Sequence, residues 1–186
     1  MNAQMGKSRF PNAVPQSPRL PAFLLGIGLG GFVDGIVLHQ VLQWHHMLTS
    51  TGDHPSTTVA GLEDNTLADG LFHMSTWILV FAGLNLAIRA WQRGAIAPPW
   101  RHHLGLMFAG WGAFNLVEGI VDHHILTVHH VRDDVSSKLS WDLGFLAFGA
   151  LLVVVGLAMF RVNDGPNGLP TADAKGRRAR GRAHLT

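Results

Sequence analysis

Two stretches of the 186-residue chain carry the residues best able to do chemistry. Asp34–His46 reads DGIVLHQVLQWHH and Glu118–His130 reads EGIVDHHILTVHH; the two align from end to end without a gap. Each has an acidic residue, then Gly-Ile-Val, a His five places after the acid, and a His-His pair six and seven places after that. Imidazole is the commonest metal ligand, and His with carboxylate but no thiolate suits Zn, Fe, Mn or Cu(II). The chain has 12 His and no Cys. A thiolate zinc site, a disulfide framework and an iron–sulfur cluster are therefore excluded. Ferritin-like bundles hold two metals on a Glu-x-x-His spacing. That spacing is absent here, so the analogy stops at architecture. Met47 and Met74 could add soft ligation for Cu(I), but methionine at such positions reads first as packing.

The elements that must position these residues are membrane spans. Hydrophobic residues make up 47% of the chain and charged residues only 14%, against about 25% charged in soluble domains. Four apolar blocks, at about 21–44, 67–90, 104–126 and 139–160, approach or exceed the roughly 20 residues that cross a bilayer. Backbone in lipid must satisfy its own hydrogen bonds, so each block is expected to be a helix. Gly26 with Gly30 and Gly31 with Gly35 are small-xxx-small pairs that let helices approach closely. The first block is too long for a signal peptide, contains Asp34, and runs into His45-His46 instead of a small-residue cleavage site.

Spans two and four also match each other, more weakly, at one constant offset: Asp69 with Asp142, Phe72 with Phe145, Gly83-Leu84 with Gly156-Leu157. The expected fold is an all-α four-helix membrane bundle built from one helical hairpin used twice. Spans one and three would face each other about a pseudo-two-fold axis along the membrane normal, as in parallel repeats. Residues 1–20 and 163–186 read as disordered arms flanking a transmembrane domain at 21–162.

Lys and Arg set the orientation. Twelve of the 14 fall before span one, between spans two and three, or after span four; only Arg132 and Lys138 lie on the other side. By the positive-inside rule both termini are cytoplasmic, and the loops at about 47–66 and 127–138 face outward. The tail segment GRRARGR then reads as lying near anionic lipid, not as a nucleic-acid arm.

Five acids, Asp34, Asp69, Glu118, Asp122 and Asp142, fall inside or at the edge of a span. An acid there costs at least ~2.5–3.5 kcal/mol on insertion scales, so each is a candidate functional residue. With about 1.5 Å of rise per residue, all five belong to the outer half of the bundle. So do eight His: His39, His45, His46, His73, His123, His124, His129 and His130. On a continuous helix His39 and His46 share one stripe, repeated by His123 and His130, while Asp34 and His45 share a second. The preferred ligand set is Asp34, His39, His46, His73, Glu118, His123 and His130. Asp69, Asp122, Asp142, His45 and His129 are supporting or second-metal candidates, since metal-bound His usually donates its other N–H to a carboxylate. His124 sits off both stripes. His54 is in a loop, His102 and His103 are at the inner interface, and His184 is in the tail.

Three functions fit these residues. The first is a membrane protein holding one or two ions of copper, iron or zinc, in metal handling or redox chemistry. The second is a b-type haem protein with His39 and His123 as axial ligands. The third is a metal-ion or proton-coupled transporter using an Asp/Glu/His relay. A catalytic role stays open if one coordination position is free, and homo-oligomerisation stays open too.

The motif at 34–46, with GLFH at Gly70–His73 and NLVEGIVDHH at Asn115–His124, resembles an uncharacterised bacterial family of predicted four-span membrane proteins, domain of unknown function 2243. The resemblance covers about residues 20–162. It implies a bacterial inner-membrane protein with its site facing the periplasm. It also suggests respiratory-oxidase assembly partners, which would tilt the metal toward copper.

Overall fold

The computed structural model describes residues 18–161. The arm and tail expected at 1–20 and 163–186, apart from 18–20, lie outside the described residues, as does His184. Six helical segments follow one another: α1 (Leu20–Val33), a π-helical segment π1 (Asp34–Val41), α2 (Val59–Gln92), α3 (Trp100–Glu118), π2 (Gly119–Ile125) and α4 (Lys138–Arg161). There is no strand among the described residues. Four stretches, Leu20–Val41, Val59–Gln92, Trp100–Ile125 and Lys138–Arg161, are long and apolar enough to cross a membrane. The chain is a multi-pass membrane protein.

The starts of these helices have local causes. Pro21 lies in the first turn of α1, where its fixed φ suits a helix and its missing N–H is not needed. Thr58 caps α2, its hydroxyl accepting from the Gly61 N–H at 3.2 Å. That cap starts α2 two turns ahead of Leu67, where hydropathy places the span. Glu63, Asp64 and Asn65 make its first two turns polar, so apolar content alone reads them as loop. At 34 residues, α2 is about 51 Å long and outlasts a hydrocarbon core of roughly 30 Å. Likewise α3 begins at Trp100, because Arg101, His102 and His103 form a polar first turn.

α1 and α3 are the central pair; α2 packs on α1 and α4 packs on α3. The central seam needs glycine. A β-carbon on Gly26 would run into the Met107 carbonyl, and one on Gly110 into the Phe23 carbonyl. Without side chains at these two points the helix backbones meet directly. The outer faces of α2 and α4 expose Trp77, Phe81, Leu143, Leu151 and Val154. A continuous apolar surface of this kind belongs in lipid.

Both central helices end in the same way. The Leu42 N–H donates to the Val37 carbonyl at 2.8 Å and the Leu126 N–H to the Val121 carbonyl at 2.8 Å, each spanning five residues as in a π-turn. Gln43 (φ 52°) and Thr127 (φ 49°) then take the left-handed conformation, which costs a non-glycine residue about 1–3 kcal/mol. The helices thus stop at Val41 and Ile125, and the expected continuation of span one to residue 44 does not form. Beyond these stops the loops that follow π1 and π2 bind each other. The Ser50 N–H donates to the Val128 carbonyl at 2.9 Å and the Asp133 N–H to the Trp44 carbonyl at 3.0 Å. The Asp133 carboxylate also accepts from Thr49 Oγ1 (2.6 Å), Ser50 Oγ (2.8 Å) and Lys138 Nζ (2.7 Å).

Candidate metal centre

The π-segments give the acid–His spacing its geometric meaning. In an α-helix, residues five apart stand about 140° from each other. A ladder of i→i+5 bonds brings them close to one face. So Asp34 and His39 meet, with Nε2 to Oδ2 at 3.1 Å, and Glu118 comes within reach of His123.

After each left-handed residue the chain turns back over the helix end. This delivers His45 and His129 into the same space. Six buried residues gather there in three overlapping groups: His39, His45 and His129; Glu118, His123 and His129; Asp34, His39 and Glu118. Within each group, one potential ligand atom per residue lies within 4.8 Å of the others. Ligands about 2.0–2.1 Å from one tetrahedral ion stand roughly 3.3 Å apart, so these side chains need only modest adjustment to share one. The rings of His45 and His129 stack at 4.6 Å between centroids and 3° between planes. His39 flanks His45 at 4.4 Å, and His123 flanks His129 at 4.9 Å.

The hydrogen bonds fix which ring nitrogen faces the centre. His45 Nδ1 lies 2.9 Å from the Val131 carbonyl and His129 Nδ1 lies 3.2 Å from the Met47 carbonyl. A carbonyl can only accept, so Nδ1 carries the proton in both rings and Nε2 keeps a lone pair. His39 Nδ1 donates to Asp69 Oδ1 at 2.9 Å. His123 Nδ1 is 3.6 Å from Asp142 Oδ1, a looser contact. Nε2 of His45, His123 and His129, Oδ1 of Asp34 and Oε2 of Glu118 are buried without a hydrogen-bond partner, while His39 Nε2 and Asp34 Oδ2 face each other at 3.1 Å. His45 and His129 therefore each present an Nε2 lone pair to the middle of the cluster.

Electrostatics favours neutral rings at His45 and His129. Burial, reinforced by His129 and His39, pushes the pKa of His45 down to about 3. Burial followed by the nearness of His39 lowers that of His129. A neutral imidazole is the form that binds metal.

Asp69 on α2 and Asp142 on α4 form the supporting layer. Asp69 Oδ2 accepts from His46 Nδ1 at 2.6 Å, while Oδ1 accepts from the Met47 N–H at 2.9 Å as well as from His39. Asp142 repeats this with His130 Nδ1 at 2.7 Å and the Val131 N–H at 2.9 Å. Each carboxylate thus orients rings and fastens the returning loop.

Of the twelve residues expected in the site, Asp34, His39, His45, Glu118, His123 and His129 come together. Asp69, Asp142, His46 and His130 stand one layer out. His45 and His129, expected in support, are central, while His46 and His130, expected as ligands, are turned toward Asp69 and Asp142. The helix stops cause this exchange, since the stripe shared by His39 and His46 presumes an unbroken helix. His73 lies apart, against Gly35 and 3.5 Å from Gln40. Asp122 is half-buried and outside the three groups. His124 Nδ1 donates back to the Gly119 carbonyl at 2.7 Å. Met74 is exposed on the lipid face. Sequence patterns gave no signal for the carbonyls of Met47 and Val131, nor for Asn65, whose side chain accepts from the Leu48 N–H at 2.9 Å and donates to the carbonyls of His54 and Gly61.

No curated protein and no solved structure matches the chain. A family model, by contrast, matches residues 21–163. The four apolar helices and this match together show that the chain belongs to the family described as predicted membrane protein (DUF2243).

Proposed function

We propose that this protein is an integral membrane metalloprotein. It holds one or two transition-metal ions through Asp34, His39, His45, Glu118, His123 and His129, in metal handling or redox chemistry. The carrying observation is the buried imidazole–carboxylate centre: the Nε2 lone pairs of His45 and His129, whose Nδ1 protons go to carbonyls, face the unpartnered His123 Nε2 and Glu118 Oε2 and the Asp34–His39 pair. Buried acceptors without a donor cost free energy, and a cation satisfies all of them at once. Imidazole and carboxylate donors suit copper(II), iron or zinc.

The recurrence of the Asp34–His46 motif at Glu118–His130 supports two copies of one hairpin related by a pseudo-two-fold axis. His45 binding the Val131 carbonyl and His129 binding the Met47 carbonyl are the same contact exchanged between copies. The Lys and Arg distribution supports cytoplasmic termini in a bacterial inner membrane, with the cluster at the periplasmic end. Less supports the alternatives. His39 and His123 occupy opposite corners of the ring cluster with the stacked His45 and His129 between them. A haem bridging them would displace both rings. All ten acids among the described residues lie toward one end of the helices, so no relay of acids runs to the other face.

The test is elemental analysis of the purified full-length protein beside a His45→Ala/His129→Ala variant. The expected result is stoichiometric metal in the parent and at least a tenfold loss in the variant, with helix content retained by circular dichroism. A folded parent that takes up no transition metal would overturn the reading.

A further inference from the structure

α1 and α4 are not packed against each other. A cavity of about 340 Å³ lies between them, with Trp44, Trp111, Trp141, Phe145 and Phe148 among its walls. Two polar side chains of the central helices, Asp34 and Asn115, also line it. Asn115 is 2% exposed and its Oδ1 has no partner; Asp34 is 4% exposed, with Oδ2 3.1 Å from His39 Nε2 and Oδ1 without a partner. A buried acceptor calls for a donor, and the surrounding rings call for an apolar, flat body. A lipid acyl chain would fill the walls and leave both acceptors unpaired.

The cavity is also one-sided. The acid and His positions of the cluster recur between the two motif copies, and so does Phe145 as Phe72, but the tryptophans and the amide lining this cavity do not. In the alignment of the two hairpins, the counterparts of Trp44, Trp111 and Trp141 are Val128, Ile27 and Ala68; that of Asn115 is Gly31, and that of Gly144 is Leu71. Three tryptophans and an amide have thus been placed on one side only.

We propose that this cavity binds the phenol or hydroquinone head of a membrane-dissolved molecule, which enters between α1 and α4. Its hydroxyl donates to Asn115 Oδ1, beside the Asp34 carboxylate, and its ring lies among the tryptophans. Occupancy does not require an ion in the cluster, although Asp34 belongs to both and sets the bound head beside the metal centre. The volume lies within the range of small-molecule sites.

The probe is radiolabelled 4-nonylphenol, compared with its methyl ether, bound to the full-length protein in lipid nanodiscs against empty discs. The blocking variant is Gly144→Leu. Gly144 lines the cavity, and a β-carbon there meets nothing within 4 Å, so a larger side chain has room to start from the backbone at this point. The expected result is saturable binding of one phenol per chain, weakened at least tenfold by Gly144→Leu. The ether should bind at least tenfold more weakly than the phenol, about one hydrogen bond's worth. Asn115→Leu should weaken the phenol without changing the ether. Metal content, measured in the same samples, should be unaltered by Gly144→Leu, which separates this site from the metal reading. Absence of saturable binding, undiminished binding by folded Gly144→Leu, or equal binding of phenol and ether would overturn the proposal; equal binding would point to an acyl chain.

Discussion

Removing the Asp69 carboxylate separates its two roles, charge and orientation. Its oxygens are unequally loaded. Oδ1 accepts from His39 Nδ1 and the Met47 N–H, both at 2.9 Å, while Oδ2 serves only His46 at 2.6 Å. Asp69→Ala frees the His39 ring and the loop that carries His45 in one step. Loss of such an orienting carboxylate typically lowers metal affinity 10–100-fold, or about 1.4–2.8 kcal/mol. Asp69→Asn should behave differently. Its amide oxygen can take the Oδ1 place and keep two of the three donors, leaving the NH₂ to face His46, which then shifts its proton to Nε2. His46 stands outside the three ligand groups, so affinity should fall no more than about threefold, below the range for losing an orienting contact to a ligand. The assay is a competition titration with a chromophoric chelator on detergent-purified variants of unchanged helix content. Wild-type affinity in folded Asp69→Ala would refute the reasoning. So would an Asn variant as weak as the Ala variant, since charge and not orientation would then be what Asp69 supplies.

Other outcomes follow from the same contacts. Gly26→Ala drives a methyl group into the Met107 carbonyl and should lower the thermal midpoint by the equivalent of about 1–3 kcal/mol, whereas Gly70→Ala, with nothing within 4 Å, should be neutral or stabilising in the same melt. Asp133→Ala unfastens the loops that follow π1 and π2 and should cost about 1–3 kcal/mol of local stability, read as lost amide protection at 46–52. Burial opposes the Asp133 charge, but bonds from Lys138, Thr49 and Ser50 prevail and hold its pKa below the ordinary 3.8. The stability it contributes is therefore complete above that value and lost as pH falls through the lower native one; protection factors in the wild type should drop only in strong acid. His54→Ala removes an exposed pair with Asp64 and should shift neither metal content nor the melt by more than about 0.5 kcal/mol.

Much of the scaffold was legible because lipid leaves a strong mark on composition. The spans stand out as apolar blocks, and the motif copies align without a gap. The start of α2 was hidden because Thr58 acts through one hydroxyl and the turns that follow are polar. The placement of His45, His46, His129 and His130 was hidden for a geometric reason. Helical-wheel reasoning carries an α period past residue 41, while the chain widens into a π-turn and reverses at Gln43. That choice depends on two loops, distant in the chain, gripping each other's carbonyls, which periodicity within one helix does not encode. The acid and His of each copy nevertheless meet, because a five-residue spacing suits the wider turn.

The central claim is that imidazole and carboxylate, without sulfur, hold the metal. X-ray absorption spectroscopy of the metal-loaded full-length protein addresses it directly. The account predicts a first shell of nitrogen and oxygen at about 2.0–2.1 Å, with the outer-shell scattering of several imidazole rings, diminished in His45→Ala/His129→Ala. A sulfur shell near about 2.3 Å, or an ion surrounded by water oxygens with no imidazole signature, would contradict it.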